Sequence, residues 1–447
     1  MIALLVSLML GGASQGNAAS LAAAELVSLP ALMLGVWMTA RAHDGRRLTW
    51  PLVLVTLALL VPCLQLIPLP VAIWTRLPGR AGAVEVLRAA GLPLAPMALS
   101  LTPQTTWHCA LALLPPVALF LITLQLPDAA RRSLARIIVI VAVGSLVLGL
   151  LQLAGGPDSP LRFYSQTNVD SAVGFFSNRD HFADFLSCAI PLAVSVFAAP
   201  AGTAGSKRWM GAASMLAFTP ILVIGVAVSG SRAGVILLVT ALAGAFALAA
   251  PKVRRARLGL GLMAAVGLVI VVALAVGRVP ALARFAEGGA DLRFTAAPTV
   301  FAAVRAFWPV GSGVGSFIPI YQTFEPARLV DPTIFNHAHD DFLEALLESG
   351  LAAVVIFLGF LTWFAVRCRA AWARAAAPGE GALARAGSLV VVMVLIHSTV
   401  DYPLRTVAMT TLFAFACALL VPAPEKRDPR MTQMHTDVSL KTAPPRA

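Results

Sequence analysis

Long apolar runs alternate with short polar segments along most of the chain. An apolar run of about twenty residues is long enough for a helix to cross the hydrocarbon core of a bilayer. The runs lie at 1–12, 21–40, 50–67, 105–126, 137–154, 182–200, 209–228, 233–250, 258–277, 341–366, 386–400 and 404–421. The run at 1–12 is short, and it is interpreted as a first helix. The pattern therefore predicts an all-α, polytopic integral membrane protein with about twelve transmembrane helices.

Charge in the segments between these runs predicts the orientation of the helices. If the N-terminus is inside, the inner segments are 41–49, 127–136, 201–208, 251–257, 367–385 and 422–447. They hold 21 of the 33 Lys and Arg residues but only 6 of the 21 Asp and Glu residues. Lys and Arg accumulate in cytoplasmic loops. Both termini are therefore expected on the cytoplasmic side.

The overall composition agrees with a bilayer as the main solvent. The chain is 59% hydrophobic and 12% charged, too little charge to cover a soluble protein of 447 residues. The net charge of +12 follows from the orientation, so no nucleic-acid partner is expected. The five cysteines show no CxxC or metal spacing and are expected to be apolar packing residues.

Three segments on the outer side are long, namely 68–104, 155–181 and 278–340. Loops of sixty residues are usually functional or disordered. Aromatic residues around the Gly-rich turn 311–315 indicate that the third segment is a folded lid. We therefore expect one transmembrane domain over 1–422 and a disordered cytoplasmic tail over 423–447.

The strongest local motif lies at 336–350, with the sequence NHAHDDFLEALLESG. On a helix, four of its side chains share one stripe: His337, Asp341, Glu344 and Glu348. Ionisable groups entering a membrane helix must face protein or water. Helix capping is the alternative, with Asp341 as N-cap and Glu344 as its partner, but capping does not explain His337 and His339. An HxH pair with nearby acids is a weak metal signature, and no metal is predicted.

Two further motifs lie where outer segments meet helices. Residues 174–186 read GFFSNRDHFADFL, and residues 229–234 read SGSRAG. A cap at Asn178 or Asp180 accounts for part of the first motif, but it does not require Arg179 or His181. Arg232 in the second motif is either an interfacial anchor or a ligand for an anion.

The last two motifs are Asp291–Arg293 with the Gly-rich turn PVGSGVGSF at 309–317, and HSTVDYPLR at 397–405. The Gly-rich turn does not follow a strand of a βαβ unit, which argues against nucleotide binding. All five motifs fall on the predicted outer face. A cavity lined there by Arg179, Arg232, Arg293 and Arg405 would attract a strongly anionic group, and a histidine beside it can act as a general base.

At these motifs the sequence resembles the O-antigen ligase and polymerase family of bacterial envelope glycosyltransferases. The stretches QLIPLP at 65–70 and LSLTP at 99–103 also look familial, so the resemblance extends from about residue 1 to 422. Two positions depart from the family pattern: Asp180 and Asp340 stand where Asn is usual. A carboxylate there would raise the pKa of the neighbouring histidine.

The resemblance implies transfer of a glycan from undecaprenyl diphosphate to an acceptor hydroxyl at the periplasmic face of the bacterial inner membrane. The acceptor would be the lipid A core, a glycan or another hydroxyl. It also implies an integral-membrane glycosyltransferase fold with a large periplasmic loop at 278–340, and neither metal nor cofactor. His339 would be the general base, and Arg232, Arg293 and Arg179 would bind the diphosphate. The supporting residues would be His337, Asp340, Asp341, Asn178, His181 and Arg405.

A flippase or another transporter of lipid-linked glycans is the alternative from a different class. Transporters place their substrate sites near the bilayer midplane. Here the acidic residues of the apolar runs lie within a few turns of the outer end, which favours chemistry at the surface. The sequence does not distinguish a ligase from a polymerase.

Overall fold

Helices form nearly all of the regular structure in a computed structural model of the chain. The structure describes residues 1–13, 17–42, 45–197, 206–249, 292–330, 334–373 and 381–424. Within those ranges, six helical segments are long and apolar enough to cross a membrane: Ala18–Ala40, Gly45–Gln65, Pro103–Gln125, Asp128–Ala154, Arg179–Phe197 and Leu351–Ala373. The predicted all-α membrane protein is confirmed at this level. The count of twelve helices and their orientation stay predictions, and the run at 258–277 lies outside the described residues.

The helices are numbered here in chain order over the described residues. They are α1 (Ile2–Leu10), α2 (Ala18–Ala40), α3 (Gly45–Gln65), α4 (Val71–Trp74), α5 (Ala81–Ala89), α6 (Pro103–Ala112), α7 (Leu114–Gln125), α8 (Asp128–Ala154), α9 (Arg179–Phe197), α10 (Ser206–Ser229), α11 (Arg232–Ala249), α12 (Leu292–Phe307), α13 (Phe317–Phe324), α14 (Asp341–Ser349), α15 (Leu351–Ala373), α16 (Ala382–His397) and α17 (Val407–Leu419). Two short strands, β1 (Pro68–Leu69) and β2 (Met97–Ala98), pair antiparallel.

Helix α9 is the centre of the bundle and is buried along almost its whole length. It packs against α8, α10, α11 and α16. Small residues let these backbones approach each other. A Cβ at Gly225 of α10 would lie 2.6 Å from Leu186, and a Cβ at Gly234 of α11 would lie 2.6 Å from Ala183. The polar residues at the start of α9 are therefore held inside protein.

Several helices begin or end on the same side of the bundle, which is called here the site end and includes Arg179, Arg232 and His397. Helices α9, α11 and α17 begin there, and α10 and α16 end there. The C-terminal end of α1 joins them, because the Ala408 amide donates to the Gly11 carbonyl at 2.9 Å.

Arginines stabilise the opposite end, called here the arginine end. Arg131 donates to the carbonyls of Leu126 and Val421, and Arg47 donates to the Leu124 carbonyl. Arg367 donates to the Leu420 carbonyl. These carbonyls lie at the C-terminal ends of α7 and α17, where the helix dipole favours cations.

The predicted single helix over 341–366 is wrong. Gly350, at φ +53°, separates the short helix α14 from the membrane-spanning α15. The HAHDD motif therefore lies in a loop and at the start of a separate short helix, outside the membrane-spanning helices, so His337 does not share a helical stripe with Asp341. The break is stabilised by the Leu351 amide, which donates to the Pro309 carbonyl at 2.8 Å.

The described part of segment 278–340 is folded, as predicted, and its location on the outer side stays a prediction. Helices α12 and α13 pack on α14 around an apolar cluster that includes Val300, Phe307, Phe317 and Leu347. Residues 278–291 lie outside the described residues. This cluster fixes the position of α14 at the site end.

Candidate active site

Three of the helices that begin at the site end have a polar N-cap whose side chain accepts from the backbone. Asn178 accepts from the amide of Asp180 at 2.8 Å, and Ser231 accepts from the amide of Gly234 at 2.8 Å. Asp340 accepts from the amides of Phe342 and Leu343 at 2.9 Å each. The N-termini of α9, α11 and α14 therefore bring positive partial charge to one end of the bundle.

The N-cap of α14 differs from the predicted one and accounts for Asp340, which stands where the family usually has Asn. The N-cap of α14 is Asp340, not Asp341. Asp and Asn are about equally good N-caps. The carboxylate that stands in place of the usual Asn thus keeps the capping role, with its Oδ1 bound by the helix amides.

His339 lies beside a buried carboxylate. Its Nδ1 is 3.0 Å from Oδ1 of Asp401, and the His339 side chain is 15% exposed while Asp401 is fully buried. His339 has a positive φ of 51°, a conformation uncommon outside glycine and often seen at functional sites. With Nδ1 engaged by a carboxylate, Nε2 is the nitrogen available to take a proton. This is the geometry of an oriented general base.

Tyr402 packs against three histidines of the site. Its ring centroid lies 4.2 Å from that of His337 and 4.9 Å from those of His339 and His181. Its hydroxyl accepts from the Asn336 side-chain amide at 3.2 Å. The tyrosine therefore holds the 336–339 loop against the turn that follows α16.

His337 belongs to a second polar cluster, built around Arg405. Its Nδ1 is 2.9 Å from Oε1 of Glu344, whose other oxygen accepts from the Ala338 amide at 2.7 Å. Arg405 contacts Glu348 at 2.6 Å, and Glu344 and Asp341 at 3.5 Å each. Three carboxylates thus surround one guanidinium.

Burial and charge set the protonation of this cluster, which lies outside the membrane spans. Burial raises the pKa of Asp341 to about 6, although Arg405 opposes that shift. Burial also disfavours the ionised form of Glu344, but Arg405 and His337 outweigh it and lower the pKa of that carboxyl to about 2. The carboxylates raise the pKa of Arg405 well above its ordinary value, against the effect of its burial. Arg405 is therefore charged and held by neighbours within the protein.

The Gly-rich turn at 311–316 stabilises the C-terminal end of α14. The amides of Ser312 and Gly313 donate to the carbonyls of Leu347 and Glu348 at 2.9 Å each. The Gly315 amide donates to the Glu348 carboxylate at 2.8 Å. These contacts give the turn a structural role in the positioning of α14.

Two of the three arginines predicted to bind diphosphate lie at neighbouring helix N-termini. Arg179 is the first residue of α9, with its guanidinium 3.4 Å from the Ser171 hydroxyl. Arg232 is the first residue of α11, which packs on α9 where Gly234 meets Ala183. Arg293 lies in the first turn of α12, and its side chain is outside the described residues.

The remaining predicted site residue is His181, which is fully buried. Its Nε2 lies 4.0 Å from Oδ1 of Asp401. The structure therefore brings together His339, His337, Asp340, Asp341, Asn178, His181 and Arg405, although Arg405 lies among carboxylates. No group of three or more His, Cys, Asp or Glu side chains that could hold a metal ion occurs in the part of the chain that the structure describes.

Sequence reasoning did not identify the carboxylate that orients His339. Asp401 lies in the motif at 397–405, where Arg405 is the predicted site residue. An indication was present in the sequence, because His397 and Asp401 are four residues apart and lie between two apolar runs. Asp184 and Tyr402 were also not predicted.

Comparison with known proteins identifies the domain that carries much of this site. Residues 216–358 match the family model of O-antigen ligase. This part of the chain is therefore similar to O-antigen ligases. A search of curated proteins found no match. The predicted resemblance is thus confirmed over residues 216–358, and its extension to the rest of residues 1–422 stays a prediction.

The O-antigen ligase match covers Arg232, the Gly-rich turn and the loop that carries His339. It ends before the 397–405 turn that supplies Asp401. The family supports an enzyme of the ligase or polymerase type with a role in glycan assembly.

Proposed function

We propose that this protein is a periplasmic-face glycosyltransferase of the inner membrane. It moves a glycan from undecaprenyl diphosphate to an acceptor hydroxyl. The observation that carries this proposal is the His339–Asp401 pair at the end of the bundle where α9 and α11 begin with arginines. A base for the hydroxyl and cations for a diphosphate are the two requirements of such a transfer.

In the proposed mechanism, Nε2 of His339 takes the proton of the acceptor hydroxyl. The hydroxyl oxygen forms a bond to the anomeric carbon of the glycan, and the bond from that carbon to the diphosphate oxygen breaks. The electron pair leaves with undecaprenyl diphosphate. Asp401 stabilises the imidazolium that forms.

The leaving diphosphate gains negative charge as its bond breaks. Arg232 and Arg179, together with the N-termini of α9 and α11, would stabilise that charge. Arg293 is the third proposed ligand. Histidine and arginine supply both the base and the positive charge, so the proposed mechanism uses neither a metal nor a nucleotide.

Arg405 has a different role in this proposal from diphosphate binding. It is paired with Glu348, Glu344 and Asp341, and it thereby supports the loop of His337. We also propose that residues 1–422 form the membrane domain and that residues 423–447 form a cytoplasmic tail. Of this tail, the structure describes only residues 423 and 424.

Gene deletion followed by complementation tests this function. We expect the deletion strain to accumulate unattached polymerised glycan if the acceptor is the lipid A core. Single repeat units on the core would indicate a polymerase. Loss of an exopolysaccharide with unchanged lipopolysaccharide would identify a different acceptor. A His339→Ala gene that restores normal glycan would contradict the general-base role.

A matched pair of arginine variants tests the diphosphate site. Arg232→Ala should raise the KM for the lipid-linked donor and lower kcat, because it removes charge from the leaving group. Arg76→Ala provides the control, since Arg76 is an exposed arginine of the outer segment 68–104. Equal activity of the two variants would exclude Arg232 as a ligand.

A further inference from the structure

A chain of buried ionisable groups extends from Asp401 into the membrane bundle. His397, at the end of α16, lies between two carboxylates. Its Nδ1 is 2.9 Å from Oδ2 of Asp184 on α9, and its Nε2 is 3.6 Å from Oδ2 of Asp401. All three side chains are fully buried. The mechanism above does not use His397 or Asp184.

Two buried carboxylates so close together are unfavourable without a cation. An ionised carboxylate removed from water needs a partner of opposite charge and hydrogen bonds. A neutral imidazole carries one N–H, whereas the imidazolium donates from both nitrogens. The geometry of His397 fits the imidazolium: Nδ1 is at hydrogen-bond distance from Asp184, and Nε2, at 3.6 Å from Asp401, is at ion-pair distance.

Few other charged or titratable groups among the described residues face His397. The ring of His181 lies 5.8 Å away, centroid to centroid. The thiol of Cys188 lies 3.3 Å from Oδ1 of Asp184. His339 faces the far side of Asp401. The charge on His397 is thus set mainly by Asp184 and Asp401.

We propose that His397 and Asp184 are positioning residues that keep Asp401 ionised. Asp184 holds the proton on His397, and the His397 cation offsets the charge of Asp401. The ionised Asp401 then orients His339 and stabilises it once it has taken the acceptor proton. This inference rests on the proposed function, because His339 must be the base.

A merely structural link between α9 and α16 is the competing explanation. Such a link predicts a lower yield of folded protein and an unchanged pH profile of the folded fraction. A positioning role predicts a lower kcat, an unchanged KM for the donor and an altered pH profile. The two explanations therefore differ in kinetic measurements on folded protein.

The test compares four variants of the full-length protein in the transfer assay. They are His397→Gln, Asp184→Asn, Asp401→Asn and the double variant Asp184→Asn with Asp401→Asn. The substrate is lipid-linked glycan extracted from the deletion strain, and kcat is normalised to the folded fraction measured by tryptophan fluorescence. Ser187→Ala is the control, because the buried Ser187 bonds only to the backbone of its own helix, at Ala183, in the described structure.

We expect His397→Gln and Asp184→Asn to lower kcat about tenfold or more, as is common for groups that orient a functional side chain. The Ser187→Ala variant should stay close to wild type. His397→Gln should also move the acid limb of the kcat/KM profile to lower pH, because a protonated Asp401 no longer favours the proton on His339. In the double variant, Asp184→Asn should lower kcat little beyond the loss caused by Asp401→Asn alone, since both substitutions act through Asp401 on His339.

Two outcomes overturn parts of the account separately. A wild-type kcat in Asp184→Asn and His397→Gln would overturn this inference. So would losses of kcat that add in the double variant, together with an acid limb of the His397→Gln kcat/KM profile that does not move. In either case an inactive His339→Ala variant would leave the proposed function intact. Full activity of His339→Ala would overturn both. If His397→Gln does not fold, the nearly isosteric Asp184→Asn still decides between the two explanations.

Discussion

His339 and Asp401 are 62 residues apart in sequence and form one hydrogen-bonded pair. The resemblance to a known family led to His339, because the family motif places a histidine directly before Asn or Asp. No sequence pattern led to Asp401, because its role depends on how the turn after α16 folds against the 336–339 loop. The same holds for Tyr402, which packs on three histidines from two segments. The candidate base could be predicted from the sequence motif, whereas the residues that contact it could be identified only from the tertiary structure.

Removing the charge of Asp401 tests this pair at the residue scale. Asp401→Asn should lower kcat by about 10²–10⁴-fold, the usual contribution of general acid–base catalysis, with little change in the KM for the donor. The measurement is initial-rate kinetics on the purified variant. Asp158→Asn, at an exposed aspartate, is the control. A kcat within twofold of wild type would show that His339 does not depend on Asp401.

The pH dependence of stability tests the Arg405 cluster. The pKa of Asp341 is about 6 in the folded protein against an ordinary 3.8, so the folded state binds this proton more tightly. The protonated Asp341 therefore stabilises the folded state, fully below about pH 4, and this stabilisation is lost as the pH rises through 6. Glu344 acts oppositely: its pKa of about 2 gives stabilisation above its ordinary value of 4.5 that is lost as pH falls towards 2.

Asp341→Asn should therefore reduce the decline in thermal stability between about pH 4 and 6. Part of the decline should remain, because burial also raises the pKa of Glu348. The measurement is thermal unfolding in detergent, followed by tryptophan fluorescence, at steps of half a pH unit. Wild type and Asp158→Asn should both retain the decline. An Asp341→Asn curve parallel to wild type over this range would contradict the assignment.

At the element scale, the lengths of the apolar runs predicted where the long helices lie, but they did not predict the break at Gly350. The apolar and polar pattern continues across Gly350, so a single helix over 341–366 was the simplest prediction. The break depends on long-range contacts between the Gly-rich turn and the C-terminal end of α14. A glycine in sequence does not reveal such a contact.

Substitution of a glycine in this turn tests its structural role. A Cβ at Gly311 would lie 2.5 Å from the Glu348 carbonyl oxygen, and φ there is +85°. Gly311→Ala should lower the free energy of unfolding by about 1–3 kcal/mol, the usual cost of overpacking, relative to Gly91→Ala. Gly91 has φ +68° and open space around its Cβ position, so it controls for backbone strain alone. Equal stability of the two variants would refute the contact.

The whole molecule has two chemically different ends. Arginines bind helix carbonyls at one end, and helix N-termini with histidines and carboxylates gather at the other. The uneven distribution of charge along the sequence is consistent with this polarity. The positive-inside rule predicts that the arginine end lies in the cytoplasm, so the site end is proposed to face the periplasm.

Cysteine labelling on intact cells tests this orientation. In a variant without native cysteines, Gln166→Cys at the site end should react with a membrane-impermeant maleimide. Gly45→Cys at the arginine end should react only after permeabilisation. Both positions are exposed. The reversed labelling pattern would place the site in the cytoplasm.

Reconstitution of the purified protein with its substrates tests the central claim most directly. Proteoliposomes that contain wild-type protein, extracted lipid-linked glycan and lipid A core should yield a covalent glycan conjugate and free undecaprenyl diphosphate. If the protein is a polymerase, lengthened lipid-linked glycan should form instead. The His339→Ala protein should yield neither product. Movement of the intact lipid-linked glycan across the bilayer without any new glycosidic bond would contradict the account and identify a flippase.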